Sequence, residues 1–185
     1  MRLLAVTMLG FALLAPMASA QRDAISTAIS PEIAGKAFRD AVIEGCVAAV
    51  ASGQRLANAP GGGARFAVTT DSDTRRDVGA GSDETVWDVV AARGVVTIKE
   101  KQDRCTASVY GPSAAMTVMT MGQQLVAAGF ERLAATQAPG ISQSLYRVSN
   151  GRRVQVTLSG SEPGMPNHKS RFSVVTATVF SMPAG

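Results

Sequence analysis

The stretch from Trp87 to Tyr110 constrains this chain most. It reads Trp87-Asp-Val-Val, a turn at Arg93-Gly94, Val95-Val-Thr-Ile-Lys99, a short charged turn, then Cys105-Thr-Ala-Ser-Val-Tyr110. Short β-branched and aromatic runs punctuated by turn residues read as strands of an antiparallel meander. An echo follows near the C-terminus: Leu145-Tyr-Arg-Val148, a tight-hairpin signal at Asn150-Gly151, Val154-Gln-Val-Thr-Leu158, and Val174-Val-Thr-Ala-Thr-Val-Phe180. Thr106, Ala107 and Val109 match Thr176, Ala177 and Val179. Val96-Thr97-Ile98 matches Val156-Thr157-Leu158, and Trp87 lines up with Tyr146. Each copy follows a segment of helical periodicity. The expected fold is α+β: two α-β-β-β halves, 31–110 and 111–185, with two helices packed on one face of a mostly antiparallel sheet of about six or seven strands.

The helices are legible from their ends. Ser30-Pro31-Glu32 offers a side-chain cap, a proline at the first helical position and an acid in the first turn. Phe38, Ala41, Val42, Cys46, Ala49 and Val50 then form an apolar stripe, and Gly53 is a natural stop. Gly111-Pro112-Ser113 opens the second helix, whose stripe reads Ala115, Val118, Met119, Gly122, Leu125 and Val126 before Gly129-Phe130 ends it. Its methionines and valines (Met116, Val118, Met119, Met121, Val126) read as core rather than as a greasy binding face. Residues 65–70 are expected to form a short strand, 71–84 an exposed polar excursion, and 131–143 a connector. Trp87, the sole tryptophan, reads as a core anchor at a strand start.

The first twenty residues carry a targeting pattern. Met1-Arg2 is followed by an uncharged apolar run too short for a bilayer span, then by Ala18-Ser19-Ala20. That pattern predicts a cleavable signal peptide, 1–20, cut between Ala20 and Gln21, and hence a periplasmic or secreted protein. Residues 21–30 are expected to be a mobile lead-in to a single domain, 31–185. Cys46 and Cys105 are the only cysteines. In an exported chain an even pair reads as a disulfide, and helical spacing puts Cys46 on the face that looks at the sheet.

Charge and motif content exclude more chemistry than they suggest. Lys and Arg number 18 against 14 Asp and Glu, and the leader removes only Arg2, so the excess is small and spread along the chain. Such a balance gives no footprint for nucleic acid. No cofactor is expected. Ser161 lacks the glycine two residues before it that a nucleophile elbow needs. Asp71, Asp73 and Asp77 miss the glycine and glutamate of a calcium loop, and Gly61-Gly-Gly63 lacks the lysine of a phosphate loop. One histidine and a paired cysteine set leave no catalytic or metal constellation.

The concentrated basic patch lies in the loop at Met165, Asn167, His168, Lys169 and Arg171, which are the candidate partner-binding residues. The sheet face away from the helices is expected to carry Thr97, Thr106, Ser108, Gln155, Thr157, Thr176 and Thr178. These readings favour an exported, disulfide-stabilised, non-catalytic module that binds a protein, peptide or envelope component. An enzyme or small-ligand binder with a pocket between helices and sheet is the alternative, and a purely structural or stress-related envelope protein the second.

Overall fold

Ser30 starts the first helix by accepting a hydrogen bond from the Ile33 N–H on its side-chain oxygen. The computed structural model describes residues 29–59, 62–133, 141–149, 151–166, 168 and 170–183, so the leader 1–20 and Asn150 of the expected hairpin turn lie outside the described residues. Helix α1 (Pro31–Asp40) runs without a break through a π-helical segment (Ala41–Val47) into α2 (Ala48–Ser52). The whole expected stripe from Phe38 to Val50 is buried. Gly45 sits where a Cβ would come within 3.0 Å of the Phe66 ring, which is why the smallest residue stands there. At Gly53 the backbone turns to a φ of 68°. The Gly53 and Gln54 N–H groups donate back to Val50 and Ala49, closing the helix with a Schellman motif.

After a 3₁₀ turn (Leu56–Asn58) and a short α3 (Gly62–Arg65) come β1 (Phe66–Val68), α4 (Ser72–Asp77) and β2 (Thr85–Val89). A second 3₁₀ turn (Val90–Ala92) leads to β3 (Val96–Lys101), β4 (Arg104–Tyr110) and helix α5 (Ala114–Ala127). The chain ends with β5 (Glu131–Arg132), β6 (Ile141–Ser149), β7 (Arg152–Ser161) and β8 (Val174–Pro183). All eight strands join one antiparallel sheet in the order β1-β2-β3-β4-β8-β7-β6-β5.

The α+β class stands, with two corrections. The sheet has eight strands rather than six or seven, and short helices join the two long ones. The extra strand, β5, falls in the expected connector. Two residues carry no periodicity of their own, and they pair because the Schellman ending of α5 delivers them beside Leu145 and Tyr146. The other correction is the excursion 71–84. Asp71 accepts from the Thr74 N–H and hydroxyl at 2.8 and 2.6 Å, nucleating α4.

That segment then roofs part of the sheet. Lys99 donates to the Gly79 carbonyl and pairs with Glu84, and Lys101 pairs with Asp83 at 2.9 Å. Beneath the roof Val86 and Thr97 are closed off, Thr97 to 1% exposure. So Thr97 is not on an open face.

The sheet order has a local two-fold. Ala107 faces Ala177 across the β4–β8 pair, Thr106 faces Thr178, and Ser108 faces Thr176. Exchanging the two strands about Ala107 and Ala177 therefore maps each matched residue onto its echo. The match of Trp87 with Tyr146 fails the same test. Trp87 pairs with Ile98, whose echo Leu158 pairs with Gln143. Trp87 points into the core, whereas Tyr146 stands on the opposite face.

The helices do not follow the two-fold. The first helical run crosses β4 and ends beside Arg152. Helix α5 starts over Gly160 and ends at Arg147, covering β6 and β7. The core fills the space between these helices and one face of the sheet, through Phe38, Ile98, Met121, Leu125, Leu145 and Leu158. No helix among the described residues is long and apolar enough to cross a membrane.

Candidate binding surfaces

Strand alternation sorts β4, β8, β7 and β6 into two faces. Val109, Ala107, Cys105, Val175, Ala177, Val179, Val156, Leu158 and Leu145 turn inward and are buried. On the outer face Thr106, Thr178, Thr157 and Ser144 form one row across the four strands, and Ser108, Thr176, Ser159 and Ser142 form the next. With strands about 4.8 Å apart, hydroxyls in a row reach one another. Thr106 and Thr178 meet at 3.4 Å, Ser144 and Thr157 at 3.3 Å.

A third row runs Phe180, Gln155, Tyr146. The Arg153 guanidinium lies 4.1 Å over the Tyr146 ring, and the Tyr146 hydroxyl donates to Glu131 at 2.6 Å. That bond raises the pKa of the phenol, since ionisation would place a second negative charge against the carboxylate. Val148, at 60% exposure, ends the patch. The outer face thus combines hydroxyls, aromatic rings, an arginine and an apolar rim, and the described residues place no roof over it like that over Thr97.

The loop between β7 and β8 is more tightly built than its composition suggests. His168 is half-buried, its Nδ1 2.8 Å from the Ser161 hydroxyl and its Nε2 2.9 Å from the Phe172 carbonyl. A carbonyl only accepts, so Nε2 carries the proton and, in the neutral ring, Nδ1 accepts from Ser161. Met165 is half-buried and its sulfur accepts from the Glu162 N–H. Arg171 is exposed. Asn167 and Lys169 lie outside the described residues.

Glu162 anchors the loop to α5. Its carboxylate accepts from the Ala114 N–H at 2.6 Å, from the Ser113 hydroxyl at 3.4 Å and from the Ser173 hydroxyl. The Ser173 bond first, then the Ala114 and Ala115 N–H groups and Ser113, hold Glu162 below the usual carboxylate range against the opposing effect of burial. The cap of α5 is therefore this distant glutamate, since Ser113 makes no side-chain cap bond.

Two features escaped the sequence reading. Glu100 is 3% exposed on the core face of β3, where it accepts from the Leu56 N–H at 2.5 Å and from Trp87 Nε1 at 3.2 Å, and pairs with Arg55 at 3.3 Å. Its signal was its alternation with Val96 and Ile98. The second is the phase of α5. Ala114, Val118, Met121, Gly122 and Leu125 are buried, whereas Met116, Met119 and Val126 face solvent, Met116 at 57% exposure. Helix α5 contains no charged residue, so nothing in its sequence marks the wet side.

Comparison with protein-family models, with curated proteins and with solved structures gives no match. What the coordinates define is an α+β protein with one eight-stranded antiparallel sheet and a disulfide between Cys46 and Cys105.

Proposed function

We propose that this protein is an exported, non-catalytic binding module of the periplasm or secreted fraction, stabilised by its disulfide, that docks a protein partner on the outer face of β4, β8, β7 and β6. The carrying observation is the contrast across one sheet face. Over β2 and β3 that face is roofed by residues 69–84, while among the described residues nothing roofs the rows from Thr106 to Ser144 and from Phe180 to Tyr146. Tyr, Phe, Met and Arg are the residue types enriched where proteins meet, and hydroxyls supply adaptable hydrogen bonds. The leader at 1–20 and the paired cysteines support an oxidising compartment. The echo of strands about Ala107 and Ala177 supports reading 31–110 and 111–185 as a repeated strand framework. Met165, Asn167, His168, Lys169 and Arg171 are proposed as a secondary contact, with Arg171 on the exposed side of the folded loop.

A photo-crosslinking residue at Thr157 tests the outer face, with one at Gln123 on the exposed side of α5 as control. In cells, Thr157 should yield a discrete protein adduct that Gln123 does not. No adduct at Thr157, or the same adducts at both positions, sinks the assignment. The second reading, a small-ligand binder with its site between helix and sheet, draws on one observation of its own: a cleft beside the end of the first helical run.

A further inference from the structure

The outer sheet face carries two guanidiniums that the fold leaves without an acid. Arg104 extends the row of Phe180, Gln155 and Tyr146 onto β4, where it is exposed. Arg153 lies in the next row, between Met182 on β8 and Val148 on β6. Among the described residues no acid pairs with either arginine, and the Arg153 Nε is buried with no acceptor. The Arg153 guanidinium rests on the Tyr146 ring.

The other charges on this face are spent. Lys99 and Lys101 pair with Glu84 and Asp83 of the roof, and Asp103 in the β3–β4 turn adds to the negative field at Lys101. Glu131 accepts from the Tyr146 hydroxyl. A guanidinium offers donors alone, in a planar fork that matches the two oxygens of a carboxylate. Two such forks set the sign of what docks here.

Their spacing sets its shape. Arg104 and Arg153 stand two strands and two residues apart. Sheet spacings of about 4.8 Å across strands and about 3.4 Å along them put the two Cα atoms on the order of 12 Å apart. Phe180 and Met182 lie between them on β8. In an extended chain residues i, i+2 and i+4 share one face and span about 13 Å. Carboxylates at i and i+4 therefore reach the two arginines, with the i+2 side chain over Phe180 and Met182. A broad anionic surface such as a lipid headgroup layer fits less well, because residues 71–84 beside the patch carry five acids against two arginines.

We infer that the partner of the outer face is a protein presenting an extended acidic segment, its carboxylates at i and i+4 flanking an apolar side chain, to Arg104 and Arg153. This rests on the outer face being the docking surface and adds the chemistry of what docks there.

The test uses the peptide Ser-Glu-Thr-Leu-Thr-Glu-Ser, amidated and carrying a neutral fluorophore at its N-terminus, and a twin with glutamine for both glutamates. Fluorescence anisotropy with the oxidised protein should show saturable binding of the acidic peptide, about fivefold or more tighter than the twin, that weakens with added salt. Arg104→Glu and Arg153→Glu should each weaken it by a similar factor, whereas Lys36→Glu, the same change of net charge on α1, should not. Equal affinity for the two peptides, or an affinity unchanged in both arginine variants, overturns the inference. So does binding to phosphatidylglycerol vesicles without binding to the acidic peptide. Crosslinking at Thr157 separates the two readings. An adduct indifferent to the paired changes Arg104→Glu and Arg153→Glu keeps the docking surface and removes the acidic segment, whereas no adduct in the otherwise unaltered protein removes both.

Discussion

Glu100 shows at the scale of one residue how an acid comes to belong in the core. Burying a carboxylate costs several kcal/mol unless donors replace the lost water. Here a guanidinium, an indole N–H and a backbone N–H replace it. Glu100→Gln keeps the shape, removes the charge and turns part of the acceptor into a donor facing donors. It should lower the unfolding free energy in urea by about 2 kcal/mol, with a change in Trp87 fluorescence as the indole loses its acceptor. An unchanged midpoint would make Glu100 a bystander. Alternation did put Glu100 on the side of Val96 and Ile98, but an acid in an alternating strand reads as wet. Only the donors brought in from Arg55, Leu56 and Trp87 reverse that, and they converge through the tertiary fold.

Helix α5 carries the argument at the scale of an element. A helix with no charge of its own has both ends served by the sheet. Glu162 sits on its N-terminal N–H groups, and Arg147 donates to the Ala128 carbonyl at 2.9 Å while stacking 4.8 Å over Phe130. Both charges have the sign that opposes the helix dipole. Close packing does the rest: a Cβ on Gly160 would stand 2.9 Å from Ala114, and Gly122 leaves room for Gln143.

Glu162 makes the anchor pH-dependent. Its folded pKa is depressed, so its stabilisation is fully present above the unfolded value, about pH 4.3, and is lost as pH falls through the folded value. Glu162→Gln should therefore lower the thermal midpoint at pH 7 by a few degrees and flatten the loss of stability below about pH 4.3. Parallel acid-stability curves for the two proteins would reject this role. The sequence placed both ends of α5 within a residue or two but missed its phase, because an all-neutral helix offers apolar positions on every side. Its cap was hidden too, since the glutamate arrives from the other side of β7.

For the whole molecule, the question is what joins the parts. The sheet could be read as a repeat because matched strands carry matched Thr and Val patterns. What no strand pattern could reveal is that the first helical run lies across the centre of the sheet while α5 lies over β6 and β7. The asymmetry rests on the bond between Cys46 and Cys105, whose Cα atoms are 5.3 Å apart and which closes a sequence separation of 59 residues. That loop encloses the end of the first helical run, both 3₁₀ turns, the roof over Thr97 and three strands. Cross-linking it removes chain entropy worth roughly 4 kcal/mol from the unfolded state. The double substitution Cys46→Ala and Cys105→Ala should cost about that much in urea unfolding, and reduction of the unaltered protein should cost a similar amount. The intact mass of the purified protein should lie two hydrogens below its reduced form. Two free thiols under non-reducing conditions, or an unfolding midpoint indifferent to both treatments, would refute the bridge as the tie between helix and sheet.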